Sequence, residues 1–524
     1  VASPDGLTAI GRRFDQSHTE FAERPAVTDE RGTLNYRELG GRARRLASAL
    51  YAQGLRGGDR VVLAAENRRE WVETEHALSV SGLVRVALLP RLHPNELAHI
   101  AADCAPRAVV ADGGWLRETG LGWIPASVTT VIAIGTTDEL PAGVLTYDDV
   151  LAYASTPYDG ALPEPEDIAA VWYTSGSTGM PKGVICTHRT HAASTRNILD
   201  VMPLRADDVA VHTAPISHWS GAIGMALVAA GGHNILRAGF DPQRLVADVE
   251  DTRATVLPLV PTQIDRLVDV LTDGPTRAAM RTVRLIPYAG SAMAPERLGL
   301  ATDRLGAVLR QFYGSAEAPA PIVTLAPEDH TTVRNRFDAP RLAAAGRVYA
   351  GAEVRIEGAD APGDVGEIGV RGEAVTRGYW GADGERPADR DADGFLLTGD
   401  VGYLDDDGYL FIVDRKKDMI VTGGFNVYPR EVENAIATLD GVREVAVVGA
   451  PDDRWGEAVT AFVALSPNAG VDADLVRDHC RAQIAGYKVP KRVEIVDELP
   501  KSGAGKIFKR ALRDQLWSGR KRKV

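Results

Sequence analysis

Between positions 60 and 111 the sequence swings repeatedly between short apolar runs and amphipathic stretches of helical spacing, and this alternation constrains the fold most. Residues 60–64 form a mostly apolar run, 69–80 have helical spacing, and 84–88 are mostly apolar again. Residues 94–104 are helical in pattern and 108–111 apolar. A strand–helix–strand–helix–strand order with near-continuous apolar strands calls for a parallel sheet covered on its faces by helices. The pattern recurs around 209–230, 255–271 and 284–289. No repeat of solenoid period is present.

Past Pro340 the character changes. Residues 346–379 are rich in Gly, Val and short alternating runs, which predicts a small antiparallel or barrel-like subdomain over about 340–413. Turn-formers follow, as in Asp391-Ala392-Asp393-Gly394 and Asp405-Asp406-Asp407-Gly408. These aspartates lack the spacing and terminal Glu of a calcium loop and read as hairpin turns. After Asp414 comes a small α+β unit, with helices near 429–439 and 474–485, strands near 444–448, 458–464 and 492–496, and a last helix from Ile507. The expected organisation is a large domain over 1–413, a charged junction over 414–418 and a small C-terminal domain over 419–524.

A chain of 524 residues is too long for one hydrophobic core and predicts at least two domains. Its 45% apolar and 25% charged composition is that of an ordinary globular protein. A net charge of -12 argues against nucleic acid as the main partner, because phosphate backbones demand a basic face. The basic end, Arg520-Lys521-Arg522-Lys523, reads as a solvated tail. Three widely spaced cysteines (Cys104, Cys186, Cys480) fit neither a disulfide framework nor a thiolate metal cluster, and predict a reducing cytoplasm. No run reaches the ~18 apolar residues of a membrane span, and no signal pattern opens the chain, so no membrane partner is expected. Nothing in the sequence separates a monomer from a homodimer.

The chemistry concentrates in Tyr173-Thr174-Ser175-Gly176-Ser177-Thr178-Gly179-Met180-Pro181-Lys182-Gly183. Glycines let successive backbone N–H groups face one concave space, hydroxyls add donors and Lys182 adds a cation. Such a loop suits a polyphosphate, yet it lacks the Gly-x-x-x-x-Gly-Lys-Ser/Thr spacing of the common P-loop. Apolar runs on both sides predict a strand–loop–strand grip. Four further segments stand in order behind it: Tyr288-Ala289-Gly290-Ser291-Ala292, Gln311-Phe312-Tyr313-Gly314-Ser315-Ala316-Glu317, Leu397-Thr398-Gly399-Asp400 and Pro500-Lys501-Ser502-Gly503-Ala504-Gly505-Lys506.

With these motifs in order, the chain resembles the adenylate-forming superfamily of acyl-CoA synthetases, stand-alone adenylation domains and luciferases. The resemblance implies that the loop from Thr174 to Lys182 closes over the β- and γ-phosphates of ATP. It implies that Tyr313, beside Gly314, stacks on adenine and that Glu317 holds Mg²⁺, a task suited to a hard carboxylate oxygen. Gly290, Ser291 and Ala292 would meet adenine, with Tyr288 and Gly290 bordering the acyl pocket. Asp400 would accept hydrogen bonds from both ribose hydroxyls, and Arg415 would reach the ribose or phosphates. Lys506 would bridge the carboxylate and α-phosphate as charge passes to pyrophosphate. Lys417 falls at the position of the hinge about which the small domain rotates, bringing Gly423-Gly424-Phe425 toward the thiol tunnel. The chain departs from the family at Ala316, where a Thr hydroxyl usually helps bind the α-phosphate or the acyl carboxylate.

For the acid, Thr213-Ala214-Pro215-Ile216-Ser217-His218-Trp219 resembles the segment whose His or aromatic residue borders the carboxylate and gates the thiol tunnel. His218 is thus a catalytic candidate, and Trp219 either shortens the acyl pocket, favouring a compact aryl or short-chain acid, or faces the core. For the acceptor, 423–433 and Gly486-Tyr487-Lys488-Val489-Pro490 look like the acyl-CoA ligase version, which makes coenzyme A the first expectation and a separate carrier protein the second. The resemblance implies activation of a carboxylic acid as acyl-AMP with release of pyrophosphate, then transfer to a thiol. Alternatives are transfer to an amine or another acceptor, activation of an oxyacid such as nitrite, and a nucleotide-binding scaffold without catalysis.

Overall fold

The computed structural model describes residues 8–90, 92, 94–135, 140–154, 156–175, 181–291, 293, 295–331, 339–423, 425–467, 469–501 and 507–518. The chain divides into two compact units, Val1–Val354 with Val370–Leu396, and Arg355–Gly369 with Leu397–Val524. The expected boundary at residue 414 therefore differs from the observed one. The physical reason lies in Glu367, which accepts the Gly399 N–H at 3.1 Å and the Lys416 ammonium at 2.7 Å, tying 355–369 and 397–416 together. Strands within 340–413 accordingly divide between the two units.

In the first unit, the alternating stretch folds as its pattern predicts. Arg60–Ala64 lies between Val84–Ala87 and Ala108–Asp112, parallel to both, with helices Arg69–Ser81 and Pro94–Cys104 as crossovers. Val61, Val62, Leu63, Val86, Val109 and Val110 are fully or almost fully buried, as strands packed on both faces require. Thr130–Ile134 and Val144–Thr146 extend this sheet at one edge. At the other, Val84–Ala87 pairs with Ile168–Ser175, then come Pro181–Thr187, Gly378–Gly381 and Gly384–Pro387. These last strands run antiparallel to their neighbours from Ile168–Ser175 onward, so the sheet is mixed where parallel order was expected. A loop of five residues between two strands permits a hairpin, whereas a parallel return needs a crossover of a dozen or more.

A second array runs Ile286–Ala289, Leu309–Tyr313, Val323–Leu325 and Gly346–Val348, the first pair parallel and the rest antiparallel. A third sheet orders Val209–His212, His233–Leu236, Pro25–Asp29 and Gly32–Asn35.

The second unit contains the hairpin of Leu396–Leu404 and Tyr409–Arg415 and a five-stranded sheet built on the long antiparallel pair Val442–Asp452 and Gly456–Leu465. Arg492–Val496 joins it in parallel, and helices Pro429–Ala437, Ala473–Gln483 and Lys509–Leu516 complete the expected α+β unit. The three cysteines are free and buried. Among the described residues, no helix is long and apolar enough to cross a membrane.

Candidate active site

The glycine- and hydroxyl-rich segment joins two antiparallel strands. Thr174 stands opposite Lys182 and Tyr173 opposite Gly183, so the strand–loop–strand expectation holds at both ends. Gly176, Ser177, Thr178 and Gly179 lie outside the described residues, and of Ser175 only its place at the strand end is described.

The hairpin is braced from two directions. On one side the Tyr173 hydroxyl donates to Asp103 at 2.5 Å, Asp103 accepts the Ala382 N–H at 3.0 Å, and the His99 imidazole lies 3.1 Å from the Pro181 carbonyl. Burial pushes the Tyr173 phenol up, so it stays a neutral donor. On the other side Thr376, with no exposed surface, donates its hydroxyl to the Ile185 carbonyl at 2.6 Å. The same residue's N–H donates to the Glu317 carbonyl at 2.8 Å.

Lys182 and Glu317 form the electrostatic centre of the first unit's site. The ammonium is 2.6 Å from the Glu317 carboxylate, 3.3 Å from the Tyr379 hydroxyl and 4.4 Å from the centre of the Tyr379 ring. Burial alone would raise the Glu317 carboxyl, yet its bond to Lys182 holds it below the ordinary range. Burial likewise pulls the Lys182 ammonium down, and the same partner more than restores it. Both groups stay charged.

Three other predicted groups meet at the same end. Ile286–Ala289 and Leu309–Tyr313 are parallel neighbours, with Ala289 opposite Phe312, so Gly290 and Tyr313 follow side by side where the two strands end. Gly290 turns the chain at φ +98°, a conformation that disfavours any side chain, and Ser291 beside it is exposed. The turn after Tyr313 is fixed by the Ser315 N–H to the Ala318 carbonyl at 2.9 Å and the Ile322 N–H to the Tyr313 carbonyl at 3.0 Å, which presents Gly314, Ala316 and Glu317 together.

His218 and Trp219 open the helix Trp219–Ala230. Asn67 clamps the segment before them, donating to the Ala214 carbonyl at 2.8 Å and accepting the Ile216 N–H at 2.9 Å. His218 is exposed and its ring lies 2.8 Å from the Ser217 hydroxyl. Trp219 is half-buried, with its ring 4.8 Å from that of Phe312. It packs against the buried cluster that contains Phe312, Ile223 and Leu227, so one side of the indole meets the core and the rest is left exposed.

Tyr288 departs from its expected place. Its side chain has no exposed surface and its hydroxyl donates to Gln311 at 2.9 Å and meets His330 at 3.0 Å. Every residue of its strand is buried, so the ring points into packed protein and offers no surface to a ligand. Ala292 lies outside the described residues.

In the second unit, Asp400 stands directly opposite Arg415 across the hairpin, with their charged groups 3.2 Å apart. Lys417 is exposed in the short turn Lys416–Asp418. This turn is held at both ends: Asp414 accepts the N–H groups of Arg415 and Arg430, each at 2.7 Å, and Asp418 pairs with Arg513 at 3.1 Å. Gly423 has φ +59°, and a Cβ there would lie 2.5 Å from the Trp455 ring. Phe425 is exposed and stacks on Tyr487 at 4.8 Å. Gly424 and Lys506 lie outside the described residues. The residues on either side of 502–506 are tied together, with the Phe508 N–H donating to the Pro500 carbonyl at 2.7 Å.

Sequence reasoning missed Asn67, His99, Asp103, Thr376 and Tyr379, all of which brace groups it did find. Their only local signal is the aromatic pair Tyr379-Trp380 set between Gly378 and Gly381 in a strand. Among the described residues no group of three or more His, Cys, Asp or Glu is placed to hold a metal ion. A single half-buried carboxylate at Glu317, oriented by its neighbours, fits magnesium, which keeps most of its waters.

Comparison with known proteins agrees with this geometry. Residues 14–380 match the AMP-binding enzyme family and residues 431–506 match the AMP-binding enzyme C-terminal domain. A feruloyl-CoA synthase of Amycolatopsis sp is 36% identical over 498 residues, covering 92% of this chain and 93% of that protein. ATP-bound MatB from Rhodopseudomonas palustris superposes with a TM-score of 0.84 at 30% identity, covering 96% of this chain and 98% of that one. The amide bond synthetase McbA from Marinactinospora thermotolerans gives 0.83 at 30% identity, covering 97% and 99%. The chain belongs to the adenylate-forming, AMP-binding enzyme family and is an ATP-dependent, AMP-forming ligase.

Proposed function

We propose that this ligase activates a compact carboxylic acid, aryl or of short to medium chain, as its acyl adenylate and passes the acyl group to coenzyme A. The observation that carries the reading is the Lys182–Glu317 ion pair beside the end of the glycine- and hydroxyl-rich hairpin, with Glu317 four positions beyond Tyr313 at the end of its strand. That pair supports a triphosphate reading, with a cation for the phosphates and a carboxylate for the metal that accompanies them. Lys182 would face the β- and γ-phosphates and Tyr313 the adenine. Glu317 would hold Mg²⁺, which when bound neutralises phosphate charge. Thr174, Ser175 and the loop behind them would close over the phosphates.

The acid's carboxylate oxygen would attack the α-phosphorus and expel pyrophosphate, with Lys506 offsetting the charge that develops. The thiol would then attack the mixed anhydride and expel AMP. No side-chain nucleophile is needed, because orientation and charge stabilisation supply the rate. Asp400 and Arg415, paired across their hairpin, would take the ribose, and rotation at Lys417 would exchange Lys506 for the Gly423–Phe425 segment between the two steps. Trp219, half-buried at the start of its helix, would limit the depth of the acid's pocket, which suits a planar or short acid better than an extended chain.

A second reading has its own support: the match to an amide bond synthetase at the same TM-score range, together with Ala316 in place of the usual Thr, favours delivery to an amine or another acceptor. Acid-dependent exchange of labelled pyrophosphate into ATP tests the first half-reaction. AMP release with and without coenzyme A, a carrier protein or an amine separates the acceptors. The proposal predicts exchange with aryl acids and AMP release that requires coenzyme A; exchange with no acid would end it.

A further inference from the structure

Lys182 is held by more than its carboxylate partner. A lysine stem has four rotatable bonds and a compact charge, so an ammonium reaching from a loop's end is badly placed unless something restricts it. In this structure Glu317 does so from one side and Tyr379 from the other. The two restraints differ in kind. Glu317 would hold the metal in the proposed reaction and would then share its charge with it. The proposed reaction gives Tyr379 no second task. Its strand, Gly378–Gly381, is paired on both sides, with Tyr379 opposite Val184 and opposite Arg386. The Gly378 N–H just before it donates to the buried Thr376 hydroxyl at 3.1 Å. The phenol is thus a fixed acceptor, and its ring a fixed negative face, beside a mobile cation.

We infer that Tyr379 is a positioning residue that keeps the Lys182 ammonium aimed at the terminal phosphates once MgATP has drawn Glu317 away. The inference rests on the nucleotide reading of this site. Its energetic basis is a charge-assisted hydrogen bond plus a cation–π contact, each retained when Lys182 leaves Glu317. The role separates from simple packing because it depends on the phosphates: a nucleotide without them never meets Lys182.

The test uses the full chain without acid, so that no turnover is required. Tyr379→Phe keeps the ring and loses the hydroxyl, and MgATP is expected to bind about three- to ten-fold more weakly. Tyr379→Leu loses both contacts, with an expected loss of about ten- to a hundred-fold. AMP, which lacks the terminal phosphates, should bind both variants as it binds the parent. In a Lys182→Met background the Tyr379→Phe change should have no further effect on MgATP affinity. Where an active acid is known, KM for ATP should rise with kcat for saturating ATP retained. Parent-like MgATP binding by the Phe variant, equal losses for AMP and MgATP, or additivity with Lys182→Met would each overturn the inference. Because binding is read directly, a failure to find any acid substrate would sink the proposed reaction while leaving this test intact.

Discussion

Thr376→Val removes one hydroxyl from the point where the hairpin of Ile168–Ser175 and Pro181–Thr187, the Glu317 turn and the Tyr379 strand are fastened together. The side chain has no exposed surface, and Val nearly matches its shape, so the change isolates the hydrogen bonds. The hydroxyl donates to the Ile185 carbonyl at 2.6 Å and accepts the Gly378 N–H at 3.1 Å. Losing the acceptor leaves a buried N–H at a cost of about 1–3 kcal/mol, and the carbonyl's lost bond adds about 1 kcal/mol. The expected total is about 2–4 kcal/mol. Urea unfolding followed by tryptophan fluorescence should show the first unit's midpoint falling with its slope unchanged. Thr376→Ser keeps the hydroxyl and removes one methyl, about 1 kcal/mol by burial alone. A Val variant no less stable than the Ser variant would refute the reasoning, because packing would then outweigh the hydrogen bonds.

Other consequences are as direct. Asn67→Ala frees the 214–216 segment that sets His218 and Trp219, so KM for the acid should rise about ten-fold while ATP affinity stays near the parent's, read from exchange kinetics. Burial pushes His18, His188, His212 and His330 down to about 4. The unfolded chain therefore takes up protons near the ordinary value of about 6.5 while the folded chain does not. Stability is fully present at neutral pH, declines as pH falls below about 6.5, and loses on the order of 2 kcal/mol per histidine by pH 5. Urea midpoints measured from pH 7 to 5 should fall; a flat profile would contradict the burial argument. Lys506→Ala should slow adenylate formation by orders of magnitude while sparing thioester formation from supplied acyl-AMP, and equal loss in both half-reactions would remove it from the first step.

The parts of the fold legible in the sequence are those whose cause is local. Helix Pro94–Cys104 and strand Arg60–Ala64 fall where their periodicity puts them, because each pattern is set by the faces a single element buries. The hairpin that carries Thr174 and Lys182 is legible for the same reason, as two apolar runs around a loop too short for a crossover. Tyr288 is not legible in this way: all four residues of its strand are buried, so no alternation indicates which side meets a ligand. The braces of the site were hidden for another reason. Tyr379 reaches Lys182 across 197 positions and Asn67 reaches Ile216 across 149, and neither contact leaves any mark in the neighbouring sequence. The division near Glu367 is equally non-local, since that carboxylate bonds residues 32 and 49 positions away and the Ile368 carbonyl accepts the Thr398 hydroxyl 30 positions on.

The central claim is that a nucleoside triphosphate is cleaved between its α- and β-phosphates under attack by a carboxylate. Incubating the full chain with unlabelled ATP, coenzyme A and ¹⁸O-carboxylate acids from an aryl and short-chain panel, then weighing the AMP, reads that step directly. The account predicts AMP carrying one ¹⁸O atom from the acid and release of pyrophosphate. AMP without the label, or release of ADP and phosphate instead, would contradict it.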